Sequence, residues 1–528
     1  MVDLPSPLQA PAPSPQPLPP PGRSLRESYW LTRLVFLRSL GLIYFVAFLS
    51  LSQQWGPLLG SDGLLPVRHY LRALGPVYGG RLDGFLAVPS LFWLGSSDAV
   101  FSALAYLGIG LSLLVLVGFA NAPLLAALWF LYMSFVHVGQ LFYGYGWEIL
   151  LLETGFLAIF LCPLLDPRPL PAHTPPPKPV IWLLRWVLFR VMFGAGLIKL
   201  RGDPCWRDLT CMIYHYQTQP LPNPLSWYLH QLPPAYHELE VLGNHFVELI
   251  VPWTFFGPRR LRHVGGLFVV GFQLMLVLSG NLSFLNWLTI TVCLACFDDQ
   301  ALAHVTPRAL RVRLAALLEV EPSRGRRFAT YAVTALILCL SVQPARNLVS
   351  SQQVMNGSFD AFDLVNTYGA FGSIGRVRRE IILEGTDDAT IGPTTRWREY
   401  EFHCKPGDVN RRPCIASPYH YRIDWQMWFA AMEDYSRNPW LVHFVYQLLR
   451  GDRAASTLLA GNPFPQTPPK FIRAELYEYA FTRIGDKTSA WWTRRRMGAY
   501  LPALSADNPA LIEYLRRYDW LPDATDRR

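Results

Sequence analysis

Charge is what this chain has least of. Asp, Glu, Lys and Arg make up 16% of its 528 residues, where globular proteins carry about 25%. That deficit argues against a soluble fold throughout and points to a membrane. Signatures of catalysis are missing as well. There is no His-Glu-x-x-His metal motif, no glycine-rich phosphate loop, and no nucleophile set beside a base at a telling spacing. No cofactor is expected. A cleavable signal sequence is not expected either. Met1 to Gly22 is almost uncharged and ends in Pro19-Pro20-Pro21, and no short apolar run with a small-residue cleavage site follows. Such a segment cannot pack a core and reads as a disordered tail, residues 1–28, with polyproline character. Nucleic acid is excluded as a partner. The net charge is +9, but the excess sits in short loops such as Arg259-Arg260-Leu261-Arg262 and Arg324-Gly325-Arg326-Arg327, which is where membrane topology signals lie.

What is abundant is apolar. Hydrophobic residues reach 51% and aromatics 14%, concentrated before about Pro344. A membrane-spanning helix needs about 20 mostly apolar residues. Nine segments qualify as expected spans: about 30–51, 99–119, 122–143, 147–164, 180–200, 240–257, 264–280, 283–298 and 328–344. The sixth and eighth are short, and re-entrant or buried segments would account for them equally well. The expected fold is a polytopic α-helical bundle over 29–344, with about nine spans and an odd count, followed by an α+β domain rich in β-strand over 345–528.

Positive charge orients this bundle. Arg23 and Arg26 precede the first segment, and Arg168 with Lys178 lie between the fourth and fifth. Arg259, Arg260 and Arg262 lie between the sixth and seventh. Arg308, Arg311, Arg313, Arg324, Arg326 and Arg327 lie between the eighth and ninth. With nine crossings all four groups fall on one side, which the positive-inside rule makes cytosolic. The loops 52–98 and 201–239 and the polar C-terminal part then share the other face. Cys205, Cys211, Cys404 and Cys414 lie there, while Cys162, Cys293, Cys296 and Cys339 fall within spans. Cysteine placement is independent of charge and agrees with an oxidising compartment on that face. Cys404–Cys414 reads as a disulfide-closed loop, contributing about 3 kcal/mol by the chain-entropy estimate. Cys205–Cys211 is a second candidate, although sequence alone does not fix connectivity. Cys293-x-x-Cys296 reads as packing, since both lie in an apolar helix. Of two sequons, Asn356-Gly357-Ser358 is placed for N-glycosylation on the lumenal side, whereas Asn281-Leu282-Ser283 lies too close to the bilayer.

Ionisable groups inside spans cost about 2.5–3.5 kcal/mol on insertion scales, so each needs an explanation. The main set is His137, Glu148, Glu153, Arg185, Arg190, Lys199, His245 and Glu248. At about 1.5 Å per residue, Glu153 lies about 9 Å and Arg190 about 13 Å from the lumenal surface, with Glu148 and Lys199 at that surface. Depth and sign therefore pair Glu153 with Arg190 and Glu148 with Lys199. Interhelical ion pairing is the reading favoured for these groups. Beyond Pro344, residues 379–384, 397–403 and 474–481 run like strands, and Tyr421–Tyr435, Asn438–Leu449 and Asp452–Leu459 like helices. Trp425, Trp428, Trp440 and Trp520 read as core. Trp491-Trp492 stands beside Arg494-Arg495-Arg496, and those arginines argue against full burial, so this pair is the candidate client-binding surface.

The runs Arg190–Pro220, Trp147–Phe156, Gly280–Thr289, Asn366–Ile374 and Ser417–Trp425 follow one another in a distinctive order. In them the chain resembles the lipase maturation factor family, the type 1 branch above all, from about Tyr29 to the C-terminus. Where relatives tend to carry acids near Tyr214-His215-Tyr216, this chain has Ile213 and Gln217, which weakens any charge role there. The resemblance implies a chaperone-like factor of the endoplasmic reticulum membrane, not an enzyme, needed for folding and assembly of secreted homodimeric lipases of the lipoprotein lipase type. Other lumenal folding factors are implied as partners. It also implies distant similarity to membrane enzymes of the vitamin K-dependent carboxylase type. The alternative is thus an enzyme whose lumen-facing polar pocket is lined by the residues of spans three to six. A small-molecule or ion transporter is the third class, but no internal repeat and no matched pair of broken helices supports it. Arginine-, alanine- and proline-rich usage would also suit a bacterial plasma membrane.

Overall fold

The computed structural model describes residues 28–171, 174–315 and 322–521. The expected tail before Ser28, with Arg23 and Arg26, lies outside the described residues. Among the described residues, the first part is helical, and its main rods are α1 (Trp30–Leu59), α2 (Asp98–Val117), α3 (Ala122–Val138), α4 (Gly146–Leu161), α5 (Lys178–Arg201), α6 (Pro234–His245), α7 (Arg259–Ser279), α8 (Leu285–Cys293) and α9 (Arg324–Leu340). Local sequence starts them. Ser97 accepts from the Val100 amide to cap α2, Asn121 from Leu124 to cap α3, and Ser323 from Arg326 to cap α9. Proline at the first turn of α3, α5 and α6 costs no hydrogen bond there.

Among the described residues, five helices are long and apolar enough to cross a membrane: Trp30–Leu59, Asp98–Val117, Lys178–Arg201, Arg259–Ser279 and Arg324–Val349. A sixth is reached if Leu285–Cys296 with Asp299–Val305, bent by 113°, is one span. The expected count of nine is not reached by this measure, for local reasons. The third and fourth segments are helices of 17 and 16 residues. The sixth is interrupted: α6 passes into a π-turn at Phe246–Ile250 and then a 3-10 stretch at Val251–Phe256, which contains Pro252.

Neighbouring segments alternate in direction. In α1 and α2, Gly41 meets Leu116, Phe48 meets Gly108, and Trp55 stacks on Phe101. Along α5, Lys199 meets Glu248, Phe193 meets Trp253, and Trp182 meets Phe256, so the broken sixth segment runs antiparallel beside it. The helix α9 and its extension run parallel to α5, from Trp186 at Ser341 to Gly194 at Leu348. One end of the bundle gathers the N-termini of α1 and α5 with the basic start of α7. There Asp299 accepts from the amides of Trp30 and Leu31, Arg185 donates to Tyr29 and to the Ala295 carbonyl, and Arg259 pairs with Asp298.

The chain after α9 covers the opposite end. Its strands are β1 (Gly357–Ser358), β2 (Asn366–Thr367), β3 (Arg378–Thr386), β4 (Arg398–Glu399), β5 (Glu401–Phe402), β6 (Leu459–Gly461), β7 (Phe471–Phe481) and β8 (Trp492–Leu504). The main sheet is antiparallel in the order β4-β3-β7-β8, with Arg378 opposite Tyr479 and Thr386 opposite Phe471. Helices α10 (Arg422–Ala430) and α11 (Pro439–Leu449) pack beside it. Strand β8 was not foreseen, because three consecutive arginines hide its alternation. Arg495 and Arg496 are held instead by Glu478 and Glu475 of the neighbouring β7, and Arg494 by Glu399 of β4.

Helix contact at small residues has a measurable consequence. A Cβ on Gly41 would lie 2.6 Å from the backbone nitrogen of Leu116, whereas one on Gly110 meets nothing within 4 Å. Gly41→Ala should therefore lower stability by about 1–3 kcal/mol. Gly110→Ala should be neutral or stabilising by up to about 1 kcal/mol. Thermal melts of the detergent-solubilised variants check this, and equal melting temperatures would contradict the close α1–α2 approach.

Candidate functional site

The polar residues expected inside the bundle meet the C-terminal part as often as they meet one another. Glu153 on α4 and Arg190 on α5 form a bidentate pair, each at most 1% exposed. The pair is completed from far along the chain. The Asn366 amide donates to Glu153 at 3.1 Å, the Tyr368 hydroxyl donates at 2.7 Å, and Arg190 donates to the Asn366 carbonyl at 2.6 Å. The segment around β2 thus inserts between two helices and uses up the remaining lone pairs of the carboxylate.

Glu148 does not pair with Lys199. It accepts from Arg422 of α10 at 2.9 Å and from the Tyr132 hydroxyl, with Glu148 and Arg422 both fully buried. Arg422 lies over the Tyr143 ring at 3.5 Å and donates to the Phe142 carbonyl at 2.6 Å. Lys199 turns instead to Glu248 at 2.6 Å and Asn244 at 2.9 Å. The correction has a physical reason. Depth along a helix fixes one coordinate, while the facing direction decides which group at that depth is met. The π-turn after α6 changes the helical phase at Glu248 and so brings it to Lys199.

Further ties run along the same face. His137 meets Asp363 at 3.0 Å, Gln54 donates to the His420 carbonyl at 2.7 Å, and His443 meets the Leu64 carbonyl at 2.9 Å. Asn281 is buried and committed. It donates to the Leu221 and Cys414 carbonyls and accepts from the amides of Ala416 and Ser417. Arg378 at the start of β3 clamps the loop after the helix Cys211–Thr218 through the carbonyls of Gln217, Gln219 and Pro220. Gln217 accepts from the Phe481 amide, so this position serves as a hydrogen-bonding tie. Ile213 is half-buried in that helix.

Both expected disulfides are formed, Cys205–Cys211 with a Cα separation of 4.8 Å and Cys404–Cys414 with 5.2 Å. Trp206, inside the first loop, lies over Lys199 at 5.0 Å and donates to the Phe371 carbonyl. The second loop is held by Asp424, which accepts from the amides of Cys404 and Lys405. Burial raises the Asp424 carboxyl above its ordinary range. Asn356 is exposed, and its side-chain oxygen accepts from the Gly369 amide.

The proposed exposed pair Trp491-Trp492 is corrected. Trp492 is 2% exposed, stacked on Phe481 and beneath Arg378. Trp491 is half-covered by Trp227 and Tyr228. Strand alternation separates the two side chains. The adjacent arginines do not prevent burial, because each has a carboxylate on its own surface. Sequence reasoning missed Arg422, Asn366, Tyr368 and Arg378. The first three lay inside the motif runs Ser417–Trp425 and Asn366–Ile374, but nothing local marked their partners. No group of three or more His, Cys, Asp or Glu able to hold a metal occurs among the described residues. Chemically, the cluster holds Glu148, Glu153 and Glu248 in fixed pairs with Arg422, Arg190 and Lys199.

The chain matches the lipase maturation factor transmembrane domain over residues 31–304 and the lipase maturation factor C-terminal domain over 364–502. It is 49% identical to lipase maturation factor 1 of Bos taurus, covering 98% of this chain and 96% of that protein. It is 47% identical to lipase maturation factor 1 of Homo sapiens, with 98% and 95% covered. Lipase maturation factor 2 of Xenopus laevis is 32% identical, with 92% and 84% covered. No solved structure matches.

Two outcomes follow from these pairings. Lys199→Glu should unfold or destabilise the chain by about 3–5 kcal/mol, since it leaves a buried charge unpaired. Adding Glu248→Lys should recover most of that loss, and adding Glu148→Lys should not. Recovery by Glu148→Lys would contradict the pairing. The second outcome concerns pH. Burial lowers His215 and His443 to about 4 from an ordinary 6.5, with the Lys199 charge adding to the effect at His215, and burial beside Arg422 holds His420 well below the ordinary value. The unfolded chain binds these protons first. Their stability contribution is therefore full above pH 6.5 and falls as pH drops toward about 4. Melting temperatures of the solubilised chain across that window should decline with acidification, and a rise would contradict it.

Proposed function

The chain belongs to the lipase maturation factor family, and on that premise we propose a folding factor of the endoplasmic reticulum membrane whose C-terminal part faces the lumen. The observation that carries its role as a lipase maturation factor is near-full-length identity of 47–49% to proteins named lipase maturation factor 1. The clients we assign are secreted homodimeric lipases of the lipoprotein lipase type, handled by binding and not by covalent chemistry. Lumenal folding factors assist at the same face.

Several observations support the orientation. The basic start of α7 and the loop before α5 lie at the bundle end away from the C-terminal part, as cytosolic loops should. Both disulfides lie at the other end, as an oxidising lumen requires. Nine crossings are the proposed count, with 29–344 as the membrane unit and 345–528 as the lumenal one. The alternating direction of the nine segments favours it. So does an exposed apolar stripe through Leu239, Leu242, Phe246, Ile250 and Trp253, at helical spacing along the broken sixth segment. Asn356 is the proposed glycan site. The relatives from Bos taurus, Homo sapiens and Xenopus laevis are vertebrate proteins, which favours the endoplasmic reticulum over a bacterial membrane. The enzyme alternative lacks support: Glu153 and Lys199, which it would place in one pocket, are saturated in separate pairs.

Expression in cells deprived of their own maturation factor, together with lipoprotein lipase, tests the role. The intact chain should restore secretion of active dimeric lipase, and no recovery despite full expression would contradict it. In the same cells the chain should show one shift on endoglycosidase H treatment, lost in Asn356→Gln. A chain insensitive to the enzyme would overturn the glycan assignment.

A further inference from the structure

A cleft of about 330 Å³ opens where β3 begins, lined by Thr218, Gly375, Arg376, Val377, Arg378, Arg379, Trp428 and Met432. Its size is at the small end of ligand sites, about 300–1,000 Å³. Its walls differ in character. Trp428 and Met432, from α10 and the turn after it, form an apolar wall, with Met432 50% exposed. The opposite wall is the backbone and side chains of Gly375–Arg379. Val377 is 45% exposed there.

The charge is one-sided. No carboxylate lines the cleft. Arg378 is spent on Glu380 and three loop carbonyls, and Arg376 is engaged by Asp203 at 2.9 Å. Arg379 is exposed and forms no ion pair among the described residues. An accessible arginine offers donors matched to a carboxylate. The strand itself supplies a third feature. On the side away from β7, β3 pairs with β4 only at Glu384 and Gly385, so its Arg378–Arg379 end, which lines the cleft, leaves an unpaired edge. Unpaired edges accept an added strand, whose main chain supplies affinity and whose alternate side chains supply specificity.

We propose that this cleft binds an extended segment of incompletely folded polypeptide in which apolar and acidic residues alternate. The backbone pairs with the β3 edge, the apolar side chains contact Trp428, Met432 and Val377, and an acid meets Arg379. Methionine adapts to varied shapes, which suits a site that must take more than one sequence. The inference rests on the folding-factor reading above and names the surface that reading requires. It moves the binding surface from Trp491-Trp492 to the start of β3.

The test uses the full chain in detergent and a short fluorescein-labelled peptide of alternating leucine and glutamate, read by fluorescence polarisation. Arg379→Glu and Met432→Glu should each weaken binding by about tenfold or more, with melting temperatures unchanged because both side chains are exposed. Arg379→Ala serves if the reversal perturbs the fold. A peptide of alternating leucine and lysine should bind the Arg379→Glu chain better than the parent. Equal affinities for both peptides, or unchanged binding in the variants, would overturn the proposal. Displacement of the peptide by phosphatidylserine vesicles but not by zwitterionic ones would mark a lipid headgroup site, and would overturn it too. Lipase secretion measured in parallel separates the two claims. If secretion is supported by the parent chain while the variants bind peptide normally, the cleft assignment falls and the folding-factor reading stands. If the parent supports no secretion, the folding-factor reading falls whatever the peptide does.

Discussion

Two buried carboxylates on one helix hold this protein together. Glu148 and Glu153 lie five residues apart on α4; Glu148 is neutralised across the boundary by Arg422, and Glu153, neutralised within the bundle by Arg190, takes further hydrogen bonds from the C-terminal part. Arg422 comes 274 residues after Glu148 to pair with it. Asn366 and Tyr368 reach back to Glu153 and Arg190. A charge in a low-dielectric interior is tolerated only with a partner and with its remaining hydrogen bonds met. The C-terminal part supplies those partners, so the helices and the sheet-bearing part depend on each other.

This dependence constrains how the protein can work. A C-terminal part anchored by a buried ion pair has a fixed orientation to the bundle, and the disulfide loops and the start of β3 inherit it. Arg378 ties β3 to the loop that follows the helix Cys211–Thr218, and Asn281 ties the turn between α7 and α8 to Cys414. The face of the C-terminal part is therefore assembled from distant stretches of chain. Damage to any one of them is expected to act through the whole face.

Much of this was legible before the fold was known, and the limits were geometric. Long apolar runs announced α1, α2, α5, α7 and α9, because hydrophobic length is a one-dimensional property. The sixth segment was ambiguous for the same reason: Pro252 and the π-turn break a run that composition alone shows as continuous. Depth matching reached the Glu153–Arg190 pair but assigned Glu148 to Lys199, since it carries no information on which way a helix faces. Arg422 lies beyond the last span, where no depth argument applies. Trp491-Trp492 showed the same blindness in a strand. Flanking arginines suggested solvent, and the pleat then buried one of the two indoles. Family likeness identified the role as a lipase maturation factor, and no residue pattern on its own would have done so.

The claim that the bundle and C-terminal part form one unit is tested most directly by cutting the chain between them. Ser351 and Gln352 are exposed, so a protease site inserted there can be cleaved in detergent. The C-terminal fragment should then co-elute with the bundle, and Arg422→Glu should release it. A fragment that elutes alone, folded and without the Arg422 substitution, would contradict the account.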